Sequence, residues 1–369
     1  MICPRCKNQD SQYFYTFKNI TYCRKCVKIG STCFSPSQLP SIIKTVDYQL
    51  DYELTPLQNN ISRQLLQRYQ QHLNTSLKAV CGAGKTEITY EVIKYALNQG
   101  QRVCFTTPRK ELVIELAKRL QSQFKNISIT TVYGGHSELV DGQFIICTTH
   151  QLYRYPQYFD LLILDELDAF PYVNNEVLIG LLQNSIKGNY IYMSATLTNQ
   201  PDLLMTKRYH GYLLDVPKCY LTSSLVMYLW AIKKIRDFVR KKKPVLVYVP
   251  TIQLTNTVAR IFKLFKLKSH AISSNTKDIQ KFIERLRHHQ LDVLVTTTIL
   301  ERGITIDNVQ VIILYGNNRI YTTATLIQIC GRVGRKTAHP SGSISIFTPY
   351  KTRAIKECLK TIKQDNRSE

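Results

Sequence analysis

"LLILDELDAFPY", residues 161–172, runs four apolar residues into three carboxylates and then an aromatic–proline turn. Leu161–Leu164 show no polar alternation, so they read as a strand covered on both faces, as in a parallel sheet. Asp165, Glu166 and Asp168 then sit at the end of that strand. Two readings compete for these acids: a metal ligand with a base for an attacking water, or a merely solvated strand end.

Working outward, the same texture recurs on both sides. "RVCFTTP" (102–108), "QFIICTTH" (143–150) and "NYIYMSAT" (189–196) are further β-rich runs, with Lys110–Gln123 an amphipathic helix between two of them. The rhythm restarts near residue 222 with "PVLVYVP", "DVLVTTT", "VQVIILY" and "SISIFTP", separated by helical stretches at Thr251–Leu267, Thr276–His289 and Thr322–Cys330. Alternation of this kind predicts an α/β chain with two tandem doubly wound parallel-sheet domains. The expected boundaries are 1–35, 36–215 and 216–369, the first being a small cysteine-rich element.

"AVCGAGKTE" (79–87) follows a predicted strand and opens a helix expected over Glu87–Asn98. Gly82 and Gly84 let the backbone turn its N–H groups toward an anion, with Ala83 between them a further nucleotide contact, and the helix N-terminus adds its positive end. Lys85 is placed to reach the β- and γ-phosphates, and the Thr86 hydroxyl to ligate Mg²⁺. Ala79 stands where this pattern wants glycine. A P-loop needs a second strand whose terminal acid completes the metal shell. Asp165 is placed for that, and Glu166 for orienting and deprotonating water. The solvated strand end loses ground once both motifs occur in this order.

In "TLIQICGRVGR" (325–335), Gln328, Arg332 and Arg335 are spaced i, i+4, i+7 and would share one face if the helix continued. Arginines delivered from a second domain are what an arginine finger requires; the competing reading is a basic, solvated helix end.

Together, GAGKTE, DELD, Ser194–Thr196 and QxxGRxGR resemble the superfamily 2 helicase and translocase set, over roughly residues 50–350. That resemblance implies two RecA-like domains and an ATP site. "LTPLQ" (54–58) makes Gln58 the implied adenine reader, and Glu87 and Gly303 join the implied nucleotide contacts. Thr107, Arg109, Thr149 and Thr297 inherit phosphate contacts to a nucleic acid strand. "DELDAFPY", "TTTILERGIT" and a four-cysteine N-terminal element sharpen the resemblance to the ComFA family, the competence ATPases of DNA uptake in Gram-positive bacteria. It implies ATP, Mg²⁺, a single-stranded DNA track and competence-machinery partners at the inner face of the membrane. Thr305 departs from the superfamily pattern, which commonly has Asp there.

Cys3, Cys6, Cys23 and Cys26 form two CxxC pairs sixteen residues apart, a Zn²⁺ ribbon pattern. A disulfide framework and a thioredoxin-like pair are the weaker alternatives, and Cys33 competes as a ligand. Arg5, Lys7, Arg24, Lys25 and Lys28 lie among Tyr13, Phe14, Tyr15 and Tyr22, a mixture suited to nucleic acid or to protein docking.

Composition agrees with these motifs. Forty-nine Lys and Arg against 26 Asp and Glu give +23, which favours a polyanionic partner over simple solubilising charge. "MICPRCKNQD" lacks the basic-then-apolar pattern of a signal peptide, and no run approaches the ~18–20 apolar residues of a membrane span. The scattered cysteines fit a reducing cytoplasm, with a peripheral membrane position also compatible. "KKIRDFVRKKK" (233–243) reads as a solvated helix face, and His288 and His289 as surface residues. The expected function is an ATP-dependent single-stranded DNA translocase. A duplex-unwinding helicase and a non-translocating, nucleic-acid-gated ATPase clamp are the alternatives.

Overall fold

Parallel strands dominate both halves of the chain in the computed structural model, which describes residues 1–27, 29, 45–136, 138, 140–166, 175–196, 200–298 and 306–367. Asp168 and the turn after it, Lys28, Cys33, Gly303 and Thr305 lie outside the described residues. The chain divides into two compact units: Met1–Ala79 with Gly84–Met205, and Val80–Ala83 with Thr206–Glu369.

The first unit opens on a hairpin, β1 (Phe14–Phe17) and β2 (Ile20–Cys23), turned through Lys18 and Asn19 at φ 46° and 65°. Positive φ at both central residues matches the twist of the flanking strands. Then follow β3 (Asp47–Tyr48), α1 (Pro56–Gln70), β4 (Thr75–Ala79), α2 (Tyr90–Asn98), β5 (Val103–Thr107) and α3 (Lys110–Gln123). The unit continues through β6 (Phe124–Lys125), β7 (Ile129–Val132), β8 (Phe144–Thr148), β9 (Phe159–Asp165), α4 (Glu176–Ser185), β10 (Ile186–Ser194) and β11 (Leu203–Met205). A seven-stranded parallel sheet runs β11-β4-β10-β9-β5-β8-β7, while β3 and β6 form a small antiparallel pair.

The second unit contains β12 (Lys218–Leu221), α5 (Ser224–Arg240), β13 (Val245–Tyr248), α6 (Ile252–Leu264), β14 (Ser269–Ile272) and α7 (Ile279–Arg287). It ends with β15 (Val293–Thr296), β16 (Gln310–Ile313), α8 (Thr323–Cys330), β17 (Ile344–Thr348) and α9 (Arg353–Asp365). Its six strands, all parallel, run β12-β17-β16-β13-β15-β14. The two doubly wound sheets expected from the alternating pattern are both present.

The apolar run that suggested a buried strand is β9. Leu161, Leu162, Ile163 and Leu164 are all fully buried, each contributing about 1.5–3 kcal/mol relative to an exposed side chain. β4 and β9 both pair with β10, so their ends lie two strand spacings apart, about 10 Å. That order places the residues after β4 and after β9 over one end of the sheet, where open α/β sheets bind ligands.

The cysteine element is fixed to this unit through α4. Val177 and Ile29 pack against the four buried cysteines, and Lys25 Nζ lies 3.0 Å from Glu176 Oε2. Gly180 makes the fit possible, because a Cβ there would overlap the Cys6 carbonyl. Replacing it costs the docking rather than local helix geometry. We predict that Gly180→Val lowers stability by about 1–3 kcal/mol or more, the scale of overpacking. Thermal unfolding followed by circular dichroism checks this, and an unchanged midpoint contradicts the docking.

Candidate nucleotide site and cysteine cluster

β4 delivers the P-loop. Gly82 and Gly84 have φ of 83° and 80°, a region that Cβ makes costly, and Thr86 leads through a 3-10 turn at Glu87–Thr89 into α2. The helix expected over Glu87–Asn98 is thus present with a tighter first turn. Beyond its conformation, Gly84 is hemmed in: an added Cβ would run into Nε2 of Gln58. Gln58 is 2% exposed and completes a capping box on α1, its Oε1 accepting from the Thr55 N–H at 2.9 Å and its own N–H donating to Thr55 Oγ1 at 3.3 Å. The carboxamide is therefore locked with its nitrogen toward the P-loop.

Lys85 Nζ stands 3.3 Å from Asp165 Oδ1. That oxygen is buried and, beyond this ion pair, has no hydrogen-bond partner among the described residues. A buried carboxylate oxygen with unused acceptor capacity, beside a P-loop cation, suits a divalent ion or its bound water. Thr86 Oγ1 accepts from Arg119 Nη2 at 3.0 Å, and Arg119 Nη1 also meets Glu87 Oε1 at 3.3 Å. Arg119 lies on α3, in no recognisable motif, and its role at the P-loop had no signal in the sequence.

Glu166 leaves the strand at φ 69°, held by donation of its N–H to the Met193 carbonyl at 2.8 Å. A left-handed glutamate costs about 1–2 kcal/mol, and such outliers concentrate at functional sites. Met193 is also the register partner of Asp165, so the Ser194–Thr196 segment begins directly beside the acids. Ser194 is fully buried, and its Oγ accepts from the Thr196 N–H at 3.0 Å.

The nucleic-acid candidates divide by exposure. Thr107 ends β5 and Thr149 follows β8, the adjacent strand; both are buried, and Thr149 Oγ1 has no partner among the described residues. Arg109 and Thr297 are half-exposed, and the Arg109 N–H donates to Thr107 Oγ1 at 3.4 Å.

In the second unit, the single helical face expected for Gln328, Arg332 and Arg335 is not formed. α8 stops at Cys330 with Gly331 as its cap, and Gly334 turns the chain at φ 67°. Gln328 remains on the helix, 5% exposed, with Oε1 lacking a partner among the described residues. Arg332 is 4% exposed in the following turn, and Arg335 Nε donates back to the Gly331 carbonyl at 2.9 Å. The turn is held by three consecutive residues that carried no motif signal. Arg208 Nη1 and His210 Nε2 meet the Gly334 carbonyl at 2.7 and 2.8 Å, and the Tyr209 hydroxyl donates to the Arg335 carbonyl at 2.9 Å. Arg208 is 2% exposed, and burial lowers its pKa; its Nε and Nη2 have no partner among the described residues.

The four cysteine sulfurs all lie within 4.8 Å of one another, with Cys3–Cys26 at 3.7 Å and Cys6–Cys23 at 3.8 Å. A tetrahedral ion with sulfur ligands at about 2.3 Å demands edges of about 3.8 Å, and a disulfide is far shorter. Burial pushes the Cys6 thiol up to about 11 and Cys26 higher still. Burial also acts upward on Cys3, but the N–H groups of Cys6 and Arg5 hold it below the ordinary value. Four sulfurs packed this closely need a cation before all can be thiolate, and the donor set suits zinc.

Comparison with known proteins follows the same lines. Residues 51–199 match the family described as "Type III restriction enzyme, res subunit", and residues 230–337 match "Helicase conserved C-terminal domain". Over 393 residues the chain is 34% identical to the competence protein ComFA of Streptococcus pneumoniae, spanning all of this chain and 90% of that protein. The chain belongs to the ComFA family. Its identity to Bacillus subtilis ComFA is 33% over 397 residues, 99% of this chain and 85% of the relative. At the level of fold, Saccharomyces cerevisiae Dbp5 bound to RNA and ADP BeF3 superposes with a TM-score of 0.59 at 16% identity, covering 85% of this chain and 91% of that one. Mycobacterium smegmatis helicase Lhr, bound to ssDNA and AMP-PNP, gives 0.59 at 15% identity over 85% of this chain and 50% of its own. This is a helicase-like, ATP-hydrolysing competence protein with RecA-like sheets. Among the described residues, no helix is long and apolar enough to cross a membrane.

The strained position of Glu166 yields a specific expectation. Glu166→Gln should keep ATP affinity within a few-fold of wild type while turnover falls by about 10²-fold or more, the scale of general-base loss. Equilibrium nucleotide binding and steady-state hydrolysis on one preparation check it, and wild-type turnover contradicts the assignment.

Proposed function

We propose that this chain is a single-stranded DNA translocase whose ATP hydrolysis drives DNA uptake during natural transformation. The observation that carries the reading is the shared sheet end. β5 pairs directly with β9, so Thr107 and Arg109 leave one strand beside the strand that ends in Asp165 and Glu166. Residues suited to a strand's phosphates and residues suited to hydrolysis are therefore built on neighbouring strands. The charge of +23 supports a polyanionic track.

In this reading the P-loop N–H groups from Gly82 to Thr86 cradle the phosphates, with Lys85 neutralising the charge that develops on them. Thr86 and Asp165 would hold Mg²⁺, which would supply charge neutralisation. Glu166 orients the attacking water and takes its proton. Gln58, Gln328 and Gly303 read or support the nucleotide, and Arg332 and Arg335 complete the site on ATP as fingers. The segment Arg208–His210 positions the finger turn. Cys3, Cys6, Cys23 and Cys26 hold zinc as a structural ion. Its place is the cytoplasmic side, against competence proteins at the inner face of the membrane.

Displacement of streptavidin from biotinylated single strands tests the motor directly. ATP-dependent displacement, lost in Lys85→Ala, is expected. Hydrolysis without displacement favours a clamp, and efficient separation of blunt duplex favours an unwinding helicase.

A further inference from the structure

The geometry points to the outward face of the β1–β2 hairpin as a stacking platform for single-stranded nucleic acid, separate from the sheet-end residues. The register sets the face. Tyr15 pairs with Tyr22 and Phe17 with Ile20, so these four share one side, while Phe14 and Cys23 pair on the side that carries the cysteine cluster. Every member of the outward set is exposed: Tyr15 48%, Phe17 57%, Ile20 69% and Tyr22 37%, with Tyr13 adding 39% at the same edge. None of them is needed to close the element, which the buried cysteines hold together with Phe14, Ile29 and Val177. A concentrated apolar surface left in water marks an interaction site.

Two features select nucleic acid as the occupant. Alternate residues on one strand face stand about 6.8 Å apart, twice the stacking distance of neighbouring bases, so a base fits between successive rings. The Tyr15 and Tyr22 rings, 5.6 Å apart at 62°, already present edge and face across the strands. Cations also frame the platform. Lys18 Nζ lies 5.5 Å from the Phe17 ring centre, and Arg24 is exposed where the ladder continues past Tyr22; Lys25 Nζ, 4.4 Å from the Tyr13 ring centre, is the one already paired with Glu176 of α4. Residues 1–27 hold Arg5, Lys7, Lys18, Arg24 and Lys25 against Asp10, and with Lys25 paired to Glu176 of α4 the element still carries a cationic excess. Rings that accept any base, framed by cations that accept any phosphate, are the chemistry of sequence-tolerant single-strand binding.

The proposal rests on single-stranded DNA being the substrate, and adds a second contact to it. The test uses the full-length, zinc-loaded chain with a fluorescein-labelled oligo-dT, read by anisotropy in the absence of ATP. The variant Tyr15→Ala/Phe17→Ala/Tyr22→Ala should bind at least about tenfold more weakly, the loss of roughly one stacked base. Its zinc content and DNA-free hydrolysis should stay at wild-type values. Tyr15→Phe/Tyr22→Phe keeps the rings and should bind as wild type. Tyr15→Trp should show saturable quenching by oligo-dT beyond that of the single native tryptophan, and little with duplex. Equal affinity of the alanine variant and wild type, or no added quenching, overturns the platform and leaves the face to a protein partner. Absence of single-strand binding by wild type would instead remove the substrate reading itself.

Discussion

The approach of Lys85 to Asp165, 3.3 Å between Nζ and Oδ1, is the contact on which the rest depends. The two residues are eighty positions apart, and nothing local brings them together. They meet because β4, β10 and β9 align in register, Ser194 opposite Lys78 and Met193 opposite Asp165. A one-residue slip of β9 against β10 would turn Asp165 to the opposite face of the sheet, away from Lys85. The core and the chemistry are therefore specified by the same pairing. The hydrophobic run Leu161–Leu164 buries the strand on both faces, and its register with β10 fixes the acid.

Much of this was legible because parallel sheets write themselves plainly. Strands buried on both faces are continuous apolar runs, and α3 has the bounds Lys110–Gln123 that its periodicity suggests. The P-loop and the paired acids were legible for a related reason, since phosphate and metal chemistry demand particular residues at strand ends. What escaped was tertiary. Arg119 reaches Thr86 from the third turn of α3, Gly180 admits the Cys6 carbonyl, and Arg208–His210 hold the Gly334–Arg335 turn. Each depends on which elements pack together, and none has a local composition that sets it apart. The shared face of Gln328, Arg332 and Arg335 failed for a local reason: their spacing is periodic, but the helix ends at Cys330, as its pattern suggests, with Gly331 as the cap and Gly334 turning the chain at positive φ.

The cysteine element adds a physical link between a small domain and the catalytic strand. Its four buried sulfurs replace the hydrophobic core that so short a segment cannot build. Through Val177, Gly180 and Glu176 it rests on α4, the next described helix after the strand that ends in Asp165. The packing of the four cysteines, the docking and the position of α4 are thereby coupled. The hairpin's aromatic face is free of that structural duty, which leaves its side chains available for a partner.

The central claim is that the acids after β9 and the P-loop after β4 form one ATPase coupled to a single strand. It is tested most directly by ATP hydrolysis measured side by side with no nucleic acid, single-stranded DNA, duplex DNA and RNA, in wild type and in Asp165→Asn. The account predicts several-fold stimulation that is greatest with single-stranded DNA, and near-complete loss of all hydrolysis in the variant. A rate indifferent to nucleic acid, or an active Asp165→Asn, would contradict it.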